Sequence, residues 1–121
     1  AEIGLQDELT INVYQNSIDL VTDIYYLRKS FPGEEQYGLT SQIRRSAVSV
    51  PSNISEGAAR KNKTEFIQFL YIALGSLSEL ETQLIISKNL GYVKKTDDLI
   101  EKITDIRKMI FGLVKSIKSK S

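Results

Sequence analysis

Cysteine and histidine are both absent from the 121 residues, and most of the side chains that run catalysis go with them. Without cysteine there are no disulfides, thiolate zinc sites or thiol nucleophiles. Without histidine the chain lacks the commonest general base and the commonest metal ligand. Tryptophan is absent too, and proline occurs only as Pro32 and Pro51. No run approaches the roughly 18 consecutive apolar residues of a membrane span. No charged-then-apolar leader opens the sequence, so a cytoplasmic protein with no membrane association is expected.

The length fits one domain, residues 1–121, and a 41% hydrophobic fraction can build a small core. The net charge of +1 hides an asymmetry. Residues 1–59 hold four basic and eight acidic side chains, whereas residues 60–121 hold twelve and seven. A basic half can present a cationic face to an anionic partner.

Apolar spacing predicts four helices, at about 7–30, 40–57, 63–89 and 97–118. In the first, Val13, Leu20, Ile24, Leu27 and Phe31 form one row, and Tyr14, Ile18, Val21 and Tyr25 a second beside it. Pro32 and Gly33 stop it. Thr40 is a suitable N-cap for the second helix, whose row is Ile43, Ala47, Val50 and Ile54. Pro51 interrupts that helix and predicts a kink. Asn62 with Glu65 three residues on reads as a capping box for the third. Phe66, Leu70, Ala73, Leu77, Leu80 and Leu84 then follow bundle-seam spacing, and Asn89-Leu90-Gly91 reads as the stop. The fourth begins at Thr96, with Asp97 and Asp98 at its positive end and the row Leu99, Ile103, Ile106, Ile110, Leu113 and Ile117. The expected fold is all-α: an antiparallel, up-down, left-handed four-helix bundle kinked near Pro51.

Two sets of polar residues carry the functional expectations. Gln42, Arg45, Ser49, Asn53 and Glu56 recur at steps of three and four, which puts them on one face of helix two. That face either lines a ligand or nucleic-acid site or forms a polar seam between helices or subunits, with its arginines turned toward protein partners. Arg60, Lys61 and Lys63 crowd the turn between helices two and three, and Lys94 and Lys95 lie beyond the far end of helix three. With Arg44 these are the candidate nucleic-acid contacts, since phosphate recognition needs cations and no particular motif. Among the tyrosines, only Tyr37 and Tyr92 fall outside core or interface spacing and are expected to be exposed. No Glu-x-x-His pair, glycine-rich phosphate loop, glycine elbow or S-x-x-K motif occurs. No enzyme activity, metal or cofactor is expected.

The stretch YGLTSQIRRSAVSVPSNISEG, residues 37–57, resembles the signature of a small bacterial family of helical-bundle proteins. These proteins are encoded within intervening sequences of large-subunit ribosomal RNA genes and are often described as ribosomal-protein-like. Glu65-Phe66, Phe69-Leu70, Ala73-Leu74-Gly75-Ser76-Leu77 and Glu79-Leu80-Glu81-Thr82-Gln83-Leu84 extend the resemblance. It implies a ring-like homopentamer. It also implies kinship with the accessory variability protein of diversity-generating retroelements, a basic barrel that binds nucleic acid and a reverse transcriptase. The chain departs from the pattern at Tyr14-Gln15-Asn16-Ser17, where the family often has tryptophan and a basic residue. Two functions are thus in view: an oligomer that binds structured RNA or DNA through basic turns, or a scaffold that docks a protein partner.

Overall fold

The computed structural model describes residues 7–120, and these form four helices with no strand. Helix α1 spans Glu8–Leu27, α2 Leu39–Ala58, α3 Lys63–Asn89 and α4 Asp97–Ser119. Two short 3-10 turns, Arg28–Ser30 and Gly33–Glu35, lie between α1 and α2. The α-helix therefore ends at Leu27, three residues before the expected end, and tightens into a 3-10 turn as helices often do in their last turn.

Three of the helices have an identifiable start or stop. Asp7 caps α1 by accepting a hydrogen bond from the Leu9 amide at 3.0 Å. Asn62 caps α3 by accepting from the Glu65 amide at 3.1 Å, the half of the capping box that the side chain of the cap supplies. α3 ends in a Schellman turn: the Tyr92 amide donates to the Ser87 carbonyl and the Gly91 amide to that of Lys88. Gly91 has φ +80°, the left-handed position that the sequence requires of it. The expected cap at Thr40 is not used. Gly38 is the N-cap of α2, and the Glu35 carboxylate reaches the Leu39 amide at 3.3 Å. Thr40 lies buried in the first turn instead. α2 runs unbroken across Pro51, whose missing N–H removes one bond from the ladder.

One hydrophobic cluster joins all four helices. All four α2 row residues and all six α3 seam residues are buried within it. So are Val13, Leu20 and Ile24 of α1 and five of the six seam residues of α4. Complete burial of a Leu or Ile side chain is worth about 1.5–3 kcal/mol, so this cluster supplies the main driving force. α2 and α3 make the most extensive contact. Small residues permit it: Gly57 packs against Phe66 and Phe69, and Ser49 Oγ lies 2.8 Å from Ser76 Oγ.

Contacts between α1 and α4 run in opposite sequence directions, with Lys120 pairing with Asp7 and Lys102 with Asp23. Between α3 and α4, Arg107 bridges to Glu81 at 2.7 Å. The second row of α1 is less covered than its spacing suggests. Tyr14 and Val21 are half-buried, whereas Ile18 and Tyr25 are exposed. By length and composition alone, α3 is apolar enough to cross a membrane. Its inner face is spent on the core, and Tyr71, Ile72, Ile85 and Ile86 stand exposed on its outer side.

Candidate nucleic-acid interface

The expected cationic residues fall at two separate ends of the molecule. α2 delivers Arg60 and Lys61 to its C-terminal turn, and Asn62 restarts the chain so that Lys63 opens α3. Arg60 donates to Glu56 Oε1 at 2.6 Å, and its guanidinium lies 5.1 Å from the centre of the Phe69 ring. Both members of that ion pair are well exposed, so it is worth at most about 1 kcal/mol and leaves Arg60 able to change partner. The Lys63 ammonium donates to the backbone carbonyl of Lys120. This contact brings the end of α4 to the basic turn, so Lys118 and Lys120 join Arg60, Lys61 and Lys63. Lys120 also pairs with Asp7 at 3.3 Å. Among the described residues, Lys61 and Lys118 have no carboxylate at ion-pair distance. Asp7, Glu8, Glu56 and Glu65 temper the charge of this end.

The lysines of α4 look in sequence like favourable partners of the helix dipole. Their other role needs the fold, because Lys63 and Lys120 are 57 residues apart in the chain.

At the opposite end lie Lys94 and Lys95, exposed on the connection before α4. That connection is tied to the one between α1 and α2. The Tyr92 hydroxyl donates to Glu35 Oε2 at 2.9 Å, and its ring meets Phe31 at 5.5 Å between centroids. The hydrogen bond to Glu35, with some burial and the charge of Glu34 and Glu35, pushes the Tyr92 phenol above its ordinary value. Tyr92 is therefore half-buried, contrary to expectation. Tyr37 is exposed as expected, at 90%, but Tyr25, Tyr26 and Tyr71 are exposed as well. Apolar periodicity marks a helix face; it does not say whether a neighbouring helix covers that face.

Arg44 does not join the Arg60 turn. The stretch of α2 from Arg44 to Ala58, fourteen residues, already separates it from that turn by about 21 Å. Arg44 instead lays its guanidinium 4.4 Å from the centre of the Tyr25 ring, a cation–π contact between α2 and α1. Its Nε is buried with no hydrogen-bond partner among the described residues. The polar face of α2 divides along its length. Gln42 and Arg45 are exposed, so Arg45 is not the inward arginine that a seam within the subunit would need. Asn53 donates to the Ser49 carbonyl at 2.7 Å and to its Oγ at 2.9 Å, a local network closed by Ser76. Glu56 serves Arg60.

Arg44, Arg45, Ser41 and Ser49 line an open groove of about 540 Å3, together with Tyr25 and Tyr37. The aromatic part of this groove follows from the exposed tyrosines and escaped the spacing argument. Among the described residues no group of three Asp or Glu side chains is placed to hold a metal ion.

Four helices around one apolar core, with cations gathered on their connections, define a helical-bundle protein. More narrowly, the chain belongs to the 23S rRNA-intervening sequence protein family, whose sequence model matches residues 10–112. A crystal structure of a protein of unknown function from the S23 ribosomal protein family of Bacteroides thetaiotaomicron is similar to it. The two share 26% identity and superpose with a TM-score of 0.77 over 85% of this chain and 98% of the other. No curated protein matches the chain.

Proposed function

We propose that this protein is a non-enzymatic, oligomeric helical bundle that binds structured RNA or DNA through phosphate contacts from its basic turns. The observation that carries the reading is the meeting of the α2–α3 turn with the end of α4, where Arg60, Lys61, Lys63, Lys118 and Lys120 collect at one end. Exposed ammonium and guanidinium groups on turns can follow a phosphate backbone without reading sequence. Lys94 and Lys95 offer a second, weaker contact at the other end. Membership of a ribosomal-protein-like family supports a nucleic-acid partner.

The four helices alternate up and down with a left-handed twist, and α2 bends at Pro51. The reversed order of the α1–α4 contacts supports that alternation. The assembled form is a homopentamer. Its support on the monomer is the outer side of α3, where Tyr71, Ile72, Ile85 and Ile86 stand exposed. Repeating a modest basic patch around a ring raises affinity through avidity, with no new contact per subunit.

The test is a variant carrying Arg60→Ala, Lys61→Ala and Lys63→Ala together, titrated against a labelled ribosomal-type RNA hairpin at several salt concentrations. Affinity should fall, and the log–log salt slope should flatten by up to about three. Unchanged affinity at every salt concentration would remove the basic turn from the interface and favour a protein-docking scaffold.

A further inference from the structure

We infer that the groove between α1 and α2 takes a single unpaired nucleotide, stacking the base on Tyr37 or on the Arg44 guanidinium that covers Tyr25, and holding the phosphate on Arg45. This inference rests on the nucleic-acid reading only for the class of partner, since the basic turns lie elsewhere.

Three observations converge on it. First, the groove's two arginines carry uncompensated charge. Neither Arg44 nor Arg45 forms an ion pair among the described residues, and the groove's lining includes no carboxylate. Second, the groove presents flat faces. Tyr37 is 90% exposed at its edge, and Arg44 already stacks at 4.4 Å on Tyr25. A guanidinium plane over a phenol is the kind of platform on which nucleobases stack. Third, Ser41 supplies a hydroxyl beside the cations, and a volume of about 540 Å3 suits a small planar ligand.

A simple inorganic anion would use the arginines and leave the tyrosines idle. A base inside a duplex would offer its backbone but not its face. An unpaired nucleotide satisfies both halves of the groove, and Arg45 is the fork suited to its phosphate. The same chemistry could come from a free nucleotide or from an unpaired position in a strand.

The experiment uses the full chain with three probes: a labelled eight-nucleotide single-stranded RNA, a blunt RNA duplex and adenosine monophosphate as competitor. The proteins are wild type, Tyr37→Ala, Tyr37→Phe and Arg45→Ala. Tyr37 is exposed, so its loss should leave the fold intact. Tyr37→Ala should weaken single-strand binding about 5- to 100-fold with an unchanged salt slope, and leave duplex binding alone. Tyr37→Phe should bind as wild type does. Arg45→Ala should weaken the single strand and flatten its salt slope by about 0.7.

Displacement of the strand by adenosine monophosphate would identify the free nucleotide as a sufficient ligand, and failure to displace it would assign the groove to a strand. Single-strand affinity unaffected by Tyr37→Ala would overturn the inference. So would equal weakening of strand and duplex, no strand binding by wild type, or a Tyr37→Ala variant that dissociates the assembly while binding normally, which would make the groove a subunit seam. Tyr37-dependent strand binding without hairpin or duplex binding would sink the basic-turn reading alone. The reverse pattern would sink the groove alone.

Discussion

Replacing Gly57 with alanine should destabilise the protein although alanine is the better helix former. Gly57 is buried in the last full turn of α2, where that helix lies closest to α3. A Cβ at this position would sit 2.7 Å from Phe69 Cβ, 2.9 Å from Phe66 Cδ1 and 3.2 Å from the Phe66 carbonyl oxygen. Two of these atoms are fixed by the backbone of α3, so no rotamer change relieves them. The helices must separate by several tenths of an ångström, and overpacking of this kind costs about 1–3 kcal/mol. The better helix propensity and the stiffer unfolded chain return about 0.5–1 kcal/mol. The net loss is about 1–2 kcal/mol, which lowers the melting temperature by roughly 4–8 °C for a chain of this size. Circular dichroism melts of both proteins at one protomer concentration would measure it, since assembly makes the midpoint concentration-dependent. An unchanged or raised midpoint would refute the close approach of α2 and α3 on which the fold account depends.

Three further outcomes are expected. Gly112→Ala, on the exposed side of α4 with nothing within 4 Å of the new Cβ, should stabilise by about 0.5–1 kcal/mol in the same melts. The Tyr92 phenol is raised above its ordinary 10.0, so its contribution is full below that pH and is lost as pH rises through the higher folded value. Tyr92→Phe should therefore remove part of the alkaline loss of stability seen in denaturant titrations, and an identical alkaline limb in both proteins would contradict the Glu35 bond. At Asp7 burial raises the carboxyl, but the Lys120 ammonium and the amides of Leu9 and Thr10 outweigh it and hold the group below 3.8. Its contribution is then full above 3.8 and disappears as pH falls through the lower folded value. Asp7→Asn should flatten the acid limb, and an unchanged limb would show that the Lys120 contact does not persist in solution.

Much of this architecture is legible in the sequence because it rests on periodicity and caps. The α2 row and the α3 seam are buried at every expected position, and Asn62 and Gly91 perform the expected local chemistry. What periodicity conveys is the direction of a face, and two kinds of information lie beyond it. The first is coverage: Tyr25 and Ile18 continue an apolar row, yet no helix reaches far enough round α1 to bury them. The second is juxtaposition. Lys63 meets Lys120, and Tyr92 meets Glu35, through contacts made only after the ends of the bundle come together. Glu35 also takes over the capping that Thr40 was suited to perform, because the 3-10 turn at Gly33–Glu35 aims its carboxylate at the Leu39 amide. The basic-turn residues were thus readable one by one, whereas their separation from Arg44, and the tyrosine groove around Arg44 and Arg45, required the fold.

The measurement that bears most directly on the central claim is the affinity of the unaltered protein for an RNA hairpin and a DNA duplex across a range of salt concentrations, followed by anisotropy. Phosphate contact from the basic turns predicts binding at low salt that declines along a straight line of log affinity against log salt, with similar slopes for unrelated duplex sequences. Absence of binding even at the lowest salt would contradict it.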